Sequence, residues 1–333
     1  MRRLPAEFEA QSFVQIIFPH EGTDWAPYLE EARRNFAAIA KAIARFEPCL
    51  VVCDDIAKVK AYFDDTDNLH FIACAADDTW ARDCSGITVY DSGKARILDF
   101  TFTGWGGKFD ASDDNAMTRT LAPHYGAELE TIDMILEGGG IESNGKGLLL
   151  TTSECLLNTN RNAAMSRSDV EAALTRHFGI EKTLWLEHGY LSGDDTDSHI
   201  DTLARFIAED TIIYVKCDDE ADEHYEALQA MESELEALRD ADGKPFRLIA
   251  LPMCDPLRYN GERLPATYAN FLIVNGAVLV PVYGGSRDGD AVAVFEASFP
   301  DREIVPIDCS VLVRQHGSLH CVTMQFPERV TLL

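Results

Sequence analysis

The sequence predicts a mixed α/β chain assembled from repeated strand-rich units. Three observations carry this. Apolar, strand-like runs come two or three in a row between helical patterns, residues 25–46 show a clean amphipathic stripe, and no Pro/Ser-rich linker or low-complexity stretch divides the 333 residues. A doubly wound sheet, in which strand and helix alternate one for one, fits this order less well. The chain is therefore read as a single domain over residues 1–333. A unit spacing of about 65 residues is compatible with diverged structural repeats, although no sequence repeat is visible.

Residues 13–18 read as a buried strand, and Thr23 or Asp24 stands where the next helix needs an N-cap. In that helix Trp25, Leu29, Ala32, Phe36, Ile39, Ile43 and Phe46 recur at three- and four-residue spacing, with Glu30, Glu31, Arg33, Arg34 and Lys41 opposite. Further strands are expected near 50–53, 69–74, 86–90, 95–101, 147–151, 182–186, 200–208, 211–216, 246–251, 267–274, 277–282 and 303–307. Helices are expected over 113–125, 166–178, 220–239 and 287–299. The second of these opens Ser166-x-x-Asp169, a capping-box pairing, and turns Val170, Ala173, Leu174 and Phe178 inward.

Composition excludes several classes. At 46% apolar residues the chain can bury a large core and is neither disordered nor fibrous. The run Phe271 to Val282 is broken by Asn275 and Gly276, short of a membrane span. Met1-Arg2-Arg3 leads into Leu4-Pro5-Ala6-Glu7 rather than an apolar leader, so a cytoplasmic location is expected. Nine cysteines, odd in number and irregular in spacing, read as reduced thiols. Cys49 and Cys53 have no second pair at zinc spacing, so no metal is expected. The net charge of -27 disfavours nucleic acid and anionic membranes and attracts a small cation; it also simply keeps an acidic cytoplasmic protein soluble. A homo-oligomer stays open.

Four polar interruptions of the apolar pattern hold the candidate chemistry: Asp77 to Asp83, Glu137 followed by Gly138-Gly139-Gly140, Gly193 to Asp201, and His316 to Cys321. The glycines either bring Glu137 against a ligand or make a plain hairpin, and they lack the spacing of a phosphate cradle. His199 and Asp201, two apart at the start of an apparent strand, are expected on one face. The competing readings are a metal site from Asp194, Asp195, Asp197, His199 and Asp201, which lacks calcium-loop spacing and a second histidine, and a merely solvated acidic loop, in which Asp194 would be a solvated acid. Cys321 has His316 and His320 nearby, but strand alternation would point His320 away from it. On residue types alone Cys84 is nearly as good a nucleophile, and a buried structural cysteine is a better reading than either.

Taken together, Thr79-Trp80-Ala81-Arg82-Asp83, Glu137-Gly138-Gly139-Gly140, Glu154 to Asn158, Asn160-Arg161-Asn162, Asp194 to Asp201, Ala266 to Phe271 and His320-Cys321-Val322-Thr323 resemble the agmatine deiminase family, which takes in bacterial peptidyl-arginine deiminases. The blocks occur in the family's order over nearly the whole chain. The resemblance implies a five-bladed α/β propeller of pseudo-repeated units around a polar channel, with no cofactor and no metal. It implies Cys321 as nucleophile, His199 as general acid/base, Glu137 as the carboxylate supporting that histidine, Asp83 and Asp201 as the pair gripping the guanidinium, and Trp80 beside the substrate. The expected activity is hydrolysis of agmatine to N-carbamoylputrescine and ammonia through a thiouronium on cysteine. Arginine or peptidyl-arginine deimination is the alternative, and a catalytically inactive polyamine-binding protein is an alternative of another class. Arg82-Asp83-Cys84-Ser85-Gly86 and His316-Gly317-Ser318-Leu319-His320 depart from the family's commoner Arg-Asp-Thr-Gly-Pro and glycine-run-Asn-Ile-His next to the site; they leave the guanidinium chemistry intact and leave the recognition of the substrate tail open.

Overall fold

Six sheets organise residues 2–333, which the computed structural model of the chain describes. Five have three or four strands, and the sixth is a two-stranded ribbon at Arg258–Tyr259 and Glu262–Arg263. The five larger sheets share one local topology, an antiparallel pair whose second strand then runs parallel to a third. Thus Ala204–Ala208 pairs antiparallel with Thr211–Lys216, which pairs parallel with Arg247–Pro252. Leu272–Val274, Ala277–Val282 and Glu303–Asp308 repeat the arrangement. So do Glu142–Ser143, Leu148–Thr152 and Lys182–Leu186, and Ile87–Asp91, Lys94–Thr101 and Glu128–Ile135. In the fifth sheet the C-terminal strand Thr323–Pro327 supplies the antiparallel partner of Gln11–Ile17, which runs parallel to Cys49–Cys53.

A parallel connection needs a crossover, and in each unit helix fills it. Leu29–Ala44 joins the first parallel pair and buries Ala32, Phe36, Ile39, Ala40 and Ile43 along the stripe read from sequence. Arg167–Phe178, Tyr225–Ala237 and Asp288–Ser298 serve the later units. Strand Cys49–Cys53, flanked by a parallel neighbour on each side, is buried at every residue, which accounts for its unbroken apolar run.

Several elements differ from the sequence reading. Thr23 does not cap the first helix; its hydroxyl donates to the His20 carbonyl, and a 3₁₀ turn at Ala26–Tyr28 intervenes. Strand Glu128–Ile135 carries no clear apolar alternation, because Glu128 and Asp133 at exposed positions and Glu130 at a half-buried one interrupt it. The strand expected from 200 begins at Ala204, since Ile200–Thr202 is a 3₁₀ turn. Gly138–Gly140 likewise forms a 3₁₀ turn rather than a hairpin. Among the described residues no helix is long and apolar enough to cross a membrane. The nine cysteines are free, and all but Cys74 are buried.

Ser166 accepts from Asp169 N while Asp169 accepts from Ser166 N, so the capping box read from sequence is present. Ser166→Ala should lower unfolding free energy by about 1 kcal/mol, visible as a lower urea midpoint at unchanged slope; an unchanged midpoint would show that the box adds nothing to stability.

Candidate active site

Each polar segment singled out from sequence ends at the same place in its unit, a few residues before the strand that opens the antiparallel pair. Asp83 precedes Ile87–Asp91, Glu137 precedes Glu142–Ser143, His199 and Asp201 precede Ala204–Ala208, and Cys321 precedes Thr323–Pro327. Asn270, which precedes Leu272–Val274, completes the set. All six residues are buried.

Their convergence is sharpest at Gly139. A Cβ there would lie 2.6 Å from His199 Nδ1, 2.9 Å from Asp83 Oδ1 and 3.2 Å from Asp201 Oδ2, so only glycine lets the three side chains approach. The Gly139 N–H also donates to Asp83 Oδ1 at 2.9 Å. The other Asp83 oxygen accepts from Trp105 Nε1 at 3.0 Å, and Trp105 reaches it from a left-handed backbone (φ 54°) that is costly for a bulky residue. Both partners of Asp83 are neutral. Burial, with the nearby Asp201 and Glu137 charges adding to it, leaves this carboxyl above its ordinary range despite His199.

His199 Nδ1 lies 3.6 Å from Asp83 Oδ1 and its Nε2 lies 3.8 Å from Glu137 Oε2. Burial alone would lower the imidazole, but the Asp83 carboxylate and the groups at Nε2 leave it well above its ordinary value. Glu137 accepts from Arg161 Nε at 2.7 Å. Burial would raise it, yet His199 and Arg161 hold it below the usual carboxylate range. Glu137, Cys155 and His199 bring ligand-type atoms within 4.8 Å of one another. The Arg161 guanidinium already occupies a Glu137 oxygen, and a divalent ion would have to sit against it, so this set suits a metal poorly.

The loop carrying His199 is held firmly. Asp194 accepts from Thr196 Oγ1 at 2.6 Å and Ser198 N at 2.8 Å, and Thr196 Oγ1 in turn accepts from His199 N at 3.1 Å. Asp194 is thus a turn-forming acid, contrary to its reading as a solvated one. Nor do His199 and Asp201 share a face through strand alternation; the 3₁₀ turn turns both inward.

Cys321 lies in a turn, not a strand, which overturns the expectation that His320 points away. His320 Nδ1 is 2.8 Å and Cys321 Sγ is 3.8 Å from the same oxygen, Asp201 Oδ2. Asn270 Nδ2 lies 3.2 Å from Cys321 Sγ, and its Oδ1 accepts from the backbone N of His320 at 2.8 Å and of Cys321 at 3.2 Å. Burial pushes the Cys321 thiol well above its ordinary value, with Asp201 and Asp83 adding to the shift. Cys321, Asp83 and Trp80 line a cavity of about 510 Å³, whereas Cys84 does not. The Trp80 ring rests against Gly317, where a Cβ would come within 2.1 Å of Cζ3. Asn270, Arg161, Trp105 and His320 were given no role from sequence, although the first, second and fourth lie in the quoted blocks.

Gly139→Ala should cut turnover by at least about 100-fold while circular dichroism stays native, because the added methyl displaces His199, Asp83 and Asp201 together. Turnover within a few-fold of the parent would show that the three do not act as one constellation.

Known proteins carry the same arrangement of sequence and fold. A curated agmatine deiminase of Stutzerimonas stutzeri is 33% identical over 97% of this chain and 95% of its own length. A Porphyromonas gingivalis structure provisionally assigned as an arginine deiminase is 48% identical, with a TM-score of 0.96 over 99% of this chain and 100% of the other. A cysteine-to-serine variant of the C. jejuni agmatine deiminase, solved with substrate bound, is 40% identical, with a TM-score of 0.93 over 98% and 96% of the two chains. The Porphyromonas-type peptidyl-arginine deiminase model matches residues 3–327, and the chain belongs to that family.

Proposed function

We propose that this protein is an agmatine deiminase, a hydrolase converting agmatine and water to N-carbamoylputrescine and ammonia. The observation that carries the choice of substrate is the charge of the cavity: seven aspartates line it, and no lysine or arginine does. An α-carboxylate, as on free arginine, would enter this field unpaired, whereas the ammonium of agmatine is attracted. The four arginines nearest the matched motifs are engaged elsewhere. Arg161 binds Glu137 and Asp197, Arg205 binds Glu142 and Glu7, Arg314 binds Glu31, and Arg82 is buried beside Glu7. Asp78 is a candidate for the cationic tail. One of its oxygens accepts from Trp80 Nε1, the other has no partner, and burial with Asp24 nearby pushes it up to about 7.

In the proposed mechanism Asp83 and Asp201 grip the planar guanidinium by its N–H edges and Trp80 flanks it, leaving the central carbon open to Cys321 Sγ. The cation lowers the thiol, which sheds its proton as substrate binds. Sulfur adds to carbon, the C–N bond breaks, and protonated His199, supported by Glu137, supplies the third hydrogen of departing ammonia. Neutral His199 then takes a proton from water, hydroxide adds to the thiouronium, and the C–S bond breaks to regenerate thiolate and the ureido product. The hydroxyl proton released as the ureido carbonyl forms balances the fourth proton of ammonia, which leaves as ammonium.

The repeated sheet topology supports reading the chain as one domain and a five-bladed propeller, with the C-terminal strand completing the unit that holds the N-terminal one. The reading makes the protein a cytoplasmic one whose partner is a small guanidine.

Comparing kcat/KM for agmatine, arginine and a peptide with terminal arginine tests the substrate; agmatine should lead by at least about 100-fold, and parity with arginine would discard the assignment. Cys321→Ser should abolish turnover and Cys84→Ser should not. Ureido product from the parent protein would exclude a catalytically inactive polyamine-binding protein.

The raised thiol gives a second test with a definite sign. Without substrate, iodoacetamide labelling of the Cys321 peptide should accelerate about tenfold per pH unit from pH 6 to 9 with no plateau, because the reactive thiolate stays a minor species throughout. A plateau below pH 8 would reveal a preformed thiolate and contradict activation by the substrate's charge.

A further inference from the structure

The carboxylate of Asp201 is held by a chain of buried polar and charged side chains. Its Oδ2 accepts from His320 Nδ1 at 2.8 Å, while its Oδ1 is buried without a partner. The other ring nitrogen of His320 lies 2.6 Å from Glu7 Oε2. That same Glu7 oxygen accepts from Arg205 Nη2 at 2.8 Å, and its Oε1 accepts from Ile273 N at 2.8 Å. Arg205 Nε continues to Glu142 Oε2 at 2.6 Å, and Nη1 donates to the Phe271 carbonyl at 2.9 Å. All five side chains are buried. Glu7, His320 and Glu142 also border a separate cavity of about 60 Å³, distinct from the substrate cavity that Cys321 lines.

From this geometry we infer that His320 is a positioning residue: anchored by Glu7, it fixes the orientation in which Asp201 meets the guanidinium. This rests on the proposed role of Asp201. The physical need is specific. The terminal torsion of an aspartate is broad and nearly two-fold, so packing alone selects its orientation weakly, whereas one short bond to Oδ2, the oxygen 3.8 Å from Cys321 Sγ, fixes it. Because His320 and Cys321 are neighbours held by the same Asn270 oxygen, one turn sets both the acceptor for the substrate and the nucleophile. Burial would raise Asp201, and the His320 contact is foremost among those that instead hold it below the ordinary carboxylate range.

The two ring nitrogens can be imitated one at a time. Asparagine places its amide nitrogen near the position of Nδ1 and retains the bond to Asp201; glutamine places its own near Nε2 and retains the bond to Glu7. Each variant gives up one hydrogen bond, so a merely structural histidine would show similar losses of Tm and equal substrate affinities. We expect a split in binding instead. In a Cys321→Ser background, calorimetry with agmatine should show His320→Gln binding about 10-fold to 100-fold more weakly than His320→Asn, and with Cys321 intact the difference should appear mainly in KM. Equal affinities, or tighter binding by the glutamine variant, overturn the inference. Should either His320 variant fail to fold, Glu7→Gln carries the test: agmatine affinity should fall at least about threefold, and an unchanged affinity overturns the inference. Absence of agmatine binding by the Cys321→Ser parent itself overturns the proposed function, and the inference with it.

Discussion

An ionised carboxylate removed from water must be compensated by an opposite charge or by donors, and the site is arranged around three carboxylates compensated to different degrees. Glu137 has the Arg161 guanidinium, and Asp201 has His320; in both, partners outweigh burial and the carboxyl is held low. Asp83 has only an indole and a backbone N–H as close donors, and it is held high. The site is therefore incomplete in charge at the side facing the cavity. A cation that brings its own N–H donors completes it, and in the proposed reaction that cation also turns the buried Cys321 thiol into a nucleophile. Substrate recognition and nucleophile activation then come from a single event, with no residue dedicated to deprotonating the cysteine.

This arrangement needs polar groups from distant parts of the chain at one place, and the repeated unit supplies them. In each of the five larger sheets the residues just before the first strand of the antiparallel pair turn inward, so five such turns deliver Asp83, Glu137, His199 with Asp201, Asn270 and Cys321. Close by, at or beside the strand starts, Glu142, Arg205 and the Phe271 carbonyl form the polar network behind the site. The pairing of Thr323–Pro327 with Gln11–Ile17 brings Glu7, near the N-terminus, to His320, near the C-terminus. Sheet pairing and the buried network thus tie the same two ends of the chain together.

What could be read from sequence was whatever shows as periodicity or as residue type out of place. The stripe of Leu29–Ala44, the capping box at Ser166 and the apolar run Cys49–Cys53 are local patterns with local causes. The interrupted apolar runs locate four of the five polar segments for the same reason, and Asn270 stands outside them. Side-chain direction inside those segments was not legible. Alternation was assumed at 199–201 and 320–321, whereas a 3₁₀ turn and a loop turn bring both residues of each pair to the site. Asp194 looked solvated because its partners, Thr196 and Ser198, are satisfied through a turn that no residue spacing announces. Arg161, Trp105 and Asn270 act on the site through contacts 24, 22 and 51 residues away in sequence, which a single chain does not encode as a pattern.

Charge operates here on two length scales that separate attraction from discrimination. The net charge of -27 acts through the summed field, which salt attenuates over about 8 Å at physiological ionic strength. It concentrates any cation, so it favours polyamines and simple salts as readily as agmatine. Discrimination requires groups at contact distance in a place that water has left, where a carboxylate oxygen without a partner is costly until a donor arrives. Asp201 Oδ1 and Asp78 Oδ1 are both buried without a partner among the described residues, the second in the wall of the cavity. A diamine offers a donor to one but has no planar carbon for sulfur to attack, and arginine offers a guanidinium but brings a carboxylate against the aspartates of the cavity. Under the proposed function, a ligand with a guanidinium at one end and a cation, without a carboxylate, at the other suits both ends at once, which makes the distal acids and the buried pair one specificity device.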